Sequence, residues 1–171
     1  MISEGERLSP ERARSMVVVA DTSPVNYLVL IGQIGILPRL YTRVLIPPAV
    51  LDELKHPAAP EPVRHWVVNP PGWLEVLTPK SRVHVAQLDV GESEAIALAT
   101  EMHVELLLMD EQAGRQEAAR RGLKVAGTLS VLDEAEQAGL VNFDAAVARL
   151  RQTSFRVSSE VLAAIQERRS R

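Results

Sequence analysis

The sequence predicts an α/β/α sandwich with a mostly parallel central sheet, and three observations carry that prediction. Two apolar runs, Val17 to Ala20 and Val104 to Met109, read as buried strands because they lack the polar alternation of a half-exposed one. Segments of helical period separate the strand candidates, so the two element types alternate along the chain. Both runs end on an acid, Asp21 and Asp110, and a helix start follows each at once. In a parallel sheet such strand-to-helix loops gather at one edge, where open α/β folds bind ligands.

The 171 residues, 46% hydrophobic and 24% charged, suit a soluble protein in which residues 1–15 form a flexible lead-in and 16–171 one domain. The absence of cysteine excludes disulfide frameworks, thiolate zinc sites and cysteine nucleophiles, which leaves metals with oxygen or histidine ligands. No apolar run approaches the roughly 20 residues of a membrane span, and the polar start does not read as a signal peptide. A cytoplasmic location with no membrane partner is therefore expected. A net charge of −3 advertises no global basic field for nucleic acid, although a local basic face can coexist with an acidic pocket that holds cations.

In chain order, Ser23-Pro24 supplies a cap hydroxyl ahead of a proline, and Val25 to Leu37 reads as one buried helix ended by Pro38. Val44 to Ile46 is a short strand stopped by Pro47-Pro48, which opens the helix Ala49 to Lys55 carrying Glu53. His56 to Gly72 holds five prolines and reads as a connection with one short helical turn before the strand candidate Trp73 to Leu77. Ala95, Leu98, Ala99 and Met102 recur at helical spacing behind Glu92 and Glu94, acids that suit the positive end of a helix dipole. Glu111 to Arg121 is a helix closed by Gly122, Leu123 to Ala126 a strand, and Thr128 to Ala138 a helix closed by Gly139. Phe143 to Arg151 and Ser159 to Arg169 complete the chain as two further helices.

If the strands are parallel, Asp21 and Asp110 share an edge, and helices starting past it add Glu53, Glu92 and Glu94. Three or more carboxylates in one pocket repel one another, so the cluster implies a hard cation, Mg²⁺ or Mn²⁺, with oxygen ligands. The four histidines show no ligand spacing.

These residues carry a family resemblance. The ordered set Val18 to Pro24, Ile46 to Leu54, Leu88 to Ala99, Leu107 to Glu111 and Gly127 to Leu132 resembles PIN-domain proteins, most of all the bacterial and archaeal VapC-like branch, over about residues 17–140. The resemblance implies a Mg²⁺- or Mn²⁺-dependent ribonuclease, often the toxin of a toxin–antitoxin pair and often a homodimer. It matches Asp21, Glu53 and Asp110 to family acids, leaves the third acid open between Glu92 and Glu94, and gives Thr22 or Ser23 the place of a supporting hydroxyl. Single-stranded RNA is the substrate that suits a narrow acidic pocket. Arg115, Arg120, Arg121 and Lys124, which follow Asp110 closely, are the candidates for a basic rim holding its backbone.

The residues 92 and 94 point about 200° apart on a helix, which favours one as ligand, and Glu94 is preferred because it begins the apolar face. An apolar surface on Val25 to Leu37 argues for self-association. The alternative to an enzyme is a PIN-like module with a weak or inactive site that acts through a protein partner.

Overall fold

The computed structural model describes residues 16–82 and 84–171. The lead-in expected over residues 1–15 lies outside the described residues. Five strands, β1 (Val17–Ala20), β2 (Arg43–Ile46), β3 (Leu74–Val76), β4 (Leu106–Leu108) and β5 (Val125–Ala126), form one sheet in the order β3-β2-β1-β4-β5, and every pairing is parallel. The chain builds outward from β1 to β3 and then returns to lay β4 against the other side of β1. That reversal makes a crevice at the carboxyl ends of β1 and β4.

The helices are α1 (Thr22–Leu30), α2 (Leu37–Leu40), α3 (Pro48–Lys55), α4 (Glu61–Val68), α5 (Val90–Glu101), α6 (Gln112–Arg120), α7 (Thr128–Gln137), α8 (Phe143–Leu150) and α9 (Ser159–Arg169). Side-chain alternation along the strands divides the core. Val18, Ala20, Val44 and Ile46 join a large cluster with α1, α3, α4, α7 and α8, while Val19, Leu45 and Leu107 face a smaller one under α5 and α6. Helices thus cover both faces of the sheet, which is why its strands read as continuous apolar runs. No described helix is long and apolar enough to cross a membrane.

Several sequence expectations need correction. The single helix expected over Val25 to Leu37 is α1, a 3₁₀ turn at Ile34–Ile36 and α2, because Gly32 at φ +74° takes the chain out of helical geometry. Pro38 sits in the first turn of α2 and opens it instead of ending a helix. α1 starts at Thr22 with Asp21 as its N-cap residue, so the helix begins ahead of the expected Ser23 cap. The single helical turn expected near residue 63 is the eight-residue α4. α5 is not amphipathic: Gly91, Glu92, Ser93 and Ala95 to Ala99 are all buried, because the helix is wedged between the sheet, α3 and α6.

The surface that argued for self-association is largely covered within the chain. Leu28, Ile31 and Leu37 are buried in the large core, and Tyr27, Leu30 and Ile34 are half-buried against it. α9 closes that side, where Arg168 pairs with the buried Asp133 of α7 and Arg169 with Glu136.

Candidate functional site

The ends of β1 and β4 are level, with Ala20 opposite Leu108, and the N–H of Asp21 donates to the carbonyl of Leu108 at 2.9 Å. This register puts Asp21 and Asp110 in the crevice. Asp21 is 5% exposed and its Oδ1 is buried with no hydrogen-bond partner. Although Asp21 occupies the N-cap position of α1, its side chain makes no capping bond. The carboxyl is pushed up to about 8, mainly by burial, with the charges of Asp89, Glu53 and Glu92 adding to the shift and the Thr22 backbone N–H opposing it. A buried acid that neither caps nor pairs is a strained arrangement for stability alone, and it fits a group waiting for a cation.

The other acids approach from α3 and α5. The hydroxyl of Thr22 donates to Glu53 Oε2, so this hydroxyl supports the second acid and not the first. The N–H of Gly91 also donates to Glu53, whose pKa is nevertheless raised, first of all by burial. A β-carbon at Gly91 would lie 2.5 Å from Glu53 Oε1, so only glycine leaves this place for the carboxylate. Gly91→Ala is expected to leave thermal stability within about 1 kcal/mol, since alanine favours a helix and a flexible side chain can yield. It displaces Glu53, and Mn²⁺ affinity should fall at least about tenfold. Unchanged Mn²⁺ affinity in calorimetry would remove Glu53 from the site.

Glu92 and Glu94 part company on α5. Glu92 is buried and pushed up to about 7, chiefly by burial and then by the charge of Asp89, with which it shares a side-chain hydrogen bond. Its charge acts on Asp21. Glu94 acts on Glu53 and accepts from the N–H of Ala49, at the start of α3, at 3.4 Å. Asp110 is fixed by α7: Thr128 donates its N–H to Oδ1 and its hydroxyl to Oδ2, both at 2.7 Å. Burial raises its pKa, and those bonds and the Arg115 charge work against the rise.

Two residues escaped the sequence reading. Asp89 caps α5, accepting from the N–H of Glu92 at 2.7 Å, and its charge bears on Asp21, Glu53 and Glu92 together. The spacing Asp89-x-x-Glu92, an acid cap followed by an acid three residues on, was the available signal. Glu111 is the second, acting on Glu92 and Asp110.

The expected basic rim divides. Arg115, in the first turn of α6, borders Asp110 and Gly127. Arg120 and Arg121 lie at the other end of α6 and are paired with Glu117, and Lys124 precedes β5, at the sheet edge opposite the acids. Ser23 does not touch an acid by hydrogen bond among the described residues but lines a cavity beside Asp110.

Asp21, Glu53, Glu92 and Asp110, with Asp89 beside them, supply only oxygen donors, the set a hard divalent cation takes. Among the described residues no three acids yet converge on one point, as expected of carboxylates that repel one another with nothing between them. The unpartnered Oδ1 of Asp21 and the glycine-lined space held by Glu53 show that these residues fit such an ion.

The PIN-domain family model DUF3368 matches residues 17–170. A solved structure of a PilT N-terminus domain protein from the hyperthermophilic archaeon Sulfolobus solfataricus P2 superposes with a TM-score of 0.52 at 17% identity, covering 70% of this chain and 93% of that one. That likeness is one of fold. No curated protein matches the chain significantly.

Proposed function

The chain belongs to the PIN-domain family, and on that premise we propose that it is a Mg²⁺- or Mn²⁺-dependent endoribonuclease cutting single-stranded RNA, the toxin of a toxin–antitoxin pair in the VapC-like branch. The observation that carries this reading is Asp21, a buried carboxylate with an unpartnered oxygen in a field of other acids at the switch point of a parallel sheet. A divalent cation, when bound, lowers the pKa of water and stabilises charge developing on a phosphodiester. Asp21 would hold it from the end of β1, Asp110 from the end of β4, and Glu53 and Glu92 from α3 and α5. Thr22 and Gly91 keep Glu53 aimed at the crevice, and Thr128 keeps Asp110 from turning away. Arg115 stands where the RNA backbone approaches Asp110. An antitoxin protein and a second copy of the chain are the partners this reading proposes.

Incubation of a labelled single-stranded RNA with the purified chain tests the proposal. Cleavage is expected with Mn²⁺ and its loss with EDTA; cleavage that persists in EDTA contradicts it. The two α5 acids separate in the same assay. Glu92→Gln is expected to weaken Mn²⁺ binding more than Glu94→Gln, because Glu92 shares the field of Asp21 while Glu94 is occupied at the start of α3. A larger loss in Glu94→Gln would return the preference to Glu94.

A further inference from the structure

Asp110 has a second neighbour besides the acids. It forms part of the wall of a cavity of about 300 Å³ to which α1 brings Tyr27 and α6 brings Arg115. The segment between α8 and α9 closes it with Phe155 and Arg156. This segment is tied down. The Tyr27 and Ser154 hydroxyls are 2.9 Å apart, the Tyr27 and Phe155 rings meet edge to face with centroids at 5.0 Å, and α9 is clasped to α7 by Arg168 and Arg169.

The chemistry of the wall is mixed in an informative way. Among the described residues neither Arg115 nor Arg156 is in an ion pair, whereas Arg120, Arg121, Arg168 and Arg169 all are. Two guanidinium groups outside any ion pair and an aromatic pair therefore border one cavity, alongside the Asp110 and Glu111 carboxylates. Guanidinium groups recognise phosphate oxygens, and aromatic side chains give unpaired bases a surface to stack on. A volume at the small end of ligand clefts admits about one nucleotide and excludes a duplex.

We propose that this cavity is a nucleotide subsite, which takes the residue next to the cleaved bond, its phosphate on Arg115 and Arg156 and its base against Tyr27 and Phe155. The proposal rests on the reading of the Asp21–Asp110 crevice as a nuclease centre for its role, but the binding it claims needs no metal. The segment after α8 thereby becomes part of the substrate surface, and single-strandedness becomes a requirement of shape.

The test titrates adenosine 5′-monophosphate and inorganic phosphate separately into the full chain in EDTA, followed by NMR, for wild type, Arg156→Gln, Phe155→Ala and Phe155→Leu. The leucine variant keeps apolar packing on Tyr27 if alanine loosens the fold. The nucleotide is expected to lose at least fivefold in affinity in Arg156→Gln and in both Phe155 variants, and phosphate only in Arg156→Gln. Equal nucleotide affinity in wild type and all variants overturns the proposal, as does phosphate binding as tightly as the nucleotide. In RNA cleavage with Mn²⁺, Arg156→Gln should raise KM at least fivefold and reduce the salt slope of RNA binding by about one. Active enzyme with an unchanged KM sinks the subsite and leaves the nuclease standing; inactive wild type with the expected nucleotide losses does the reverse.

Discussion

Asp21→Asn is expected to abolish Mn²⁺-dependent RNA cleavage while the protein stays folded. Outer partners of a metal ligand cost about 10- to 100-fold when removed, so loss of the central ligand should exceed that range. The amide keeps the shape of the carboxylate and removes the charge a hard cation needs. The structure adds a second expectation. Asp21 is buried, its Oδ1 is unpartnered and its carboxyl is pushed from 3.8 up to about 8, so across that interval folding opposes an ionisation that the unfolded chain makes freely. Asp21→Asn should therefore melt well above wild type at pH 9 in EDTA and by a smaller margin at pH 5. Thermal melts at the two pH values, with circular dichroism for the fold, check both statements.

The metal-free protein is expected to lose stability steadily as pH rises from 5 to 9, and divalent cation should restore it. The sign follows from linkage. Asp21 rises from 3.8 to about 8 and Glu92 from 4.5 to about 7 on folding, and Glu53 and Asp110 are shifted the same way. Between the unfolded and folded values the native state binds more protons than the unfolded chain, so stability present below pH 4 is lost as pH rises through the folded values. The carboxylates shifted downward, Glu75, Glu101 and Glu117, answer arginines and backbone groups at the solvent boundary, where screening keeps each opposing contribution small. Melting in EDTA and in Mn²⁺ should thus diverge with pH, most of all above pH 8. Parallel curves would mean that the cation does not meet these acids.

Much of the candidate site's geometry was legible because its two anchors are set by strands. An apolar run that ends on an acid fixes that acid at a sheet edge, and the parallel register of β1 and β4 does the rest for Asp21 and Asp110. Glu53 followed from Pro48, which dates the start of α3. What was not legible depends on rotation and distance in space. Whether Glu92 or Glu94 faces Asp21 is decided by how α5 rolls between the sheet and α3. Arg120 and Arg121 follow Asp110 closely in sequence, but a helix that leaves the edge carries its last turn to the far end.

The fold was misread where one residue overrules a pattern. Gly32 breaks an otherwise continuous apolar helix, and the covering of Leu28, Ile31 and Leu37 by α7 and α8 depends on elements far along the chain. The closing of a cavity by Phe155 and Arg156 is of the same kind: nothing in Ser154 to Ser158 announces that it packs against Tyr27.

Calorimetric titration of Mn²⁺ at pH 7 in buffers of different ionisation enthalpy tests most directly whether Asp21 and its neighbours form a divalent-cation site. Because Asp21 is protonated at that pH and a ligand must be ionised, binding is expected to release on the order of one proton per ion in wild type, and both the heat and the proton release should vanish in Asp21→Asn. Mn²⁺ that binds wild type and Asp21→Asn alike, or that does not bind wild type at all, would contradict the account.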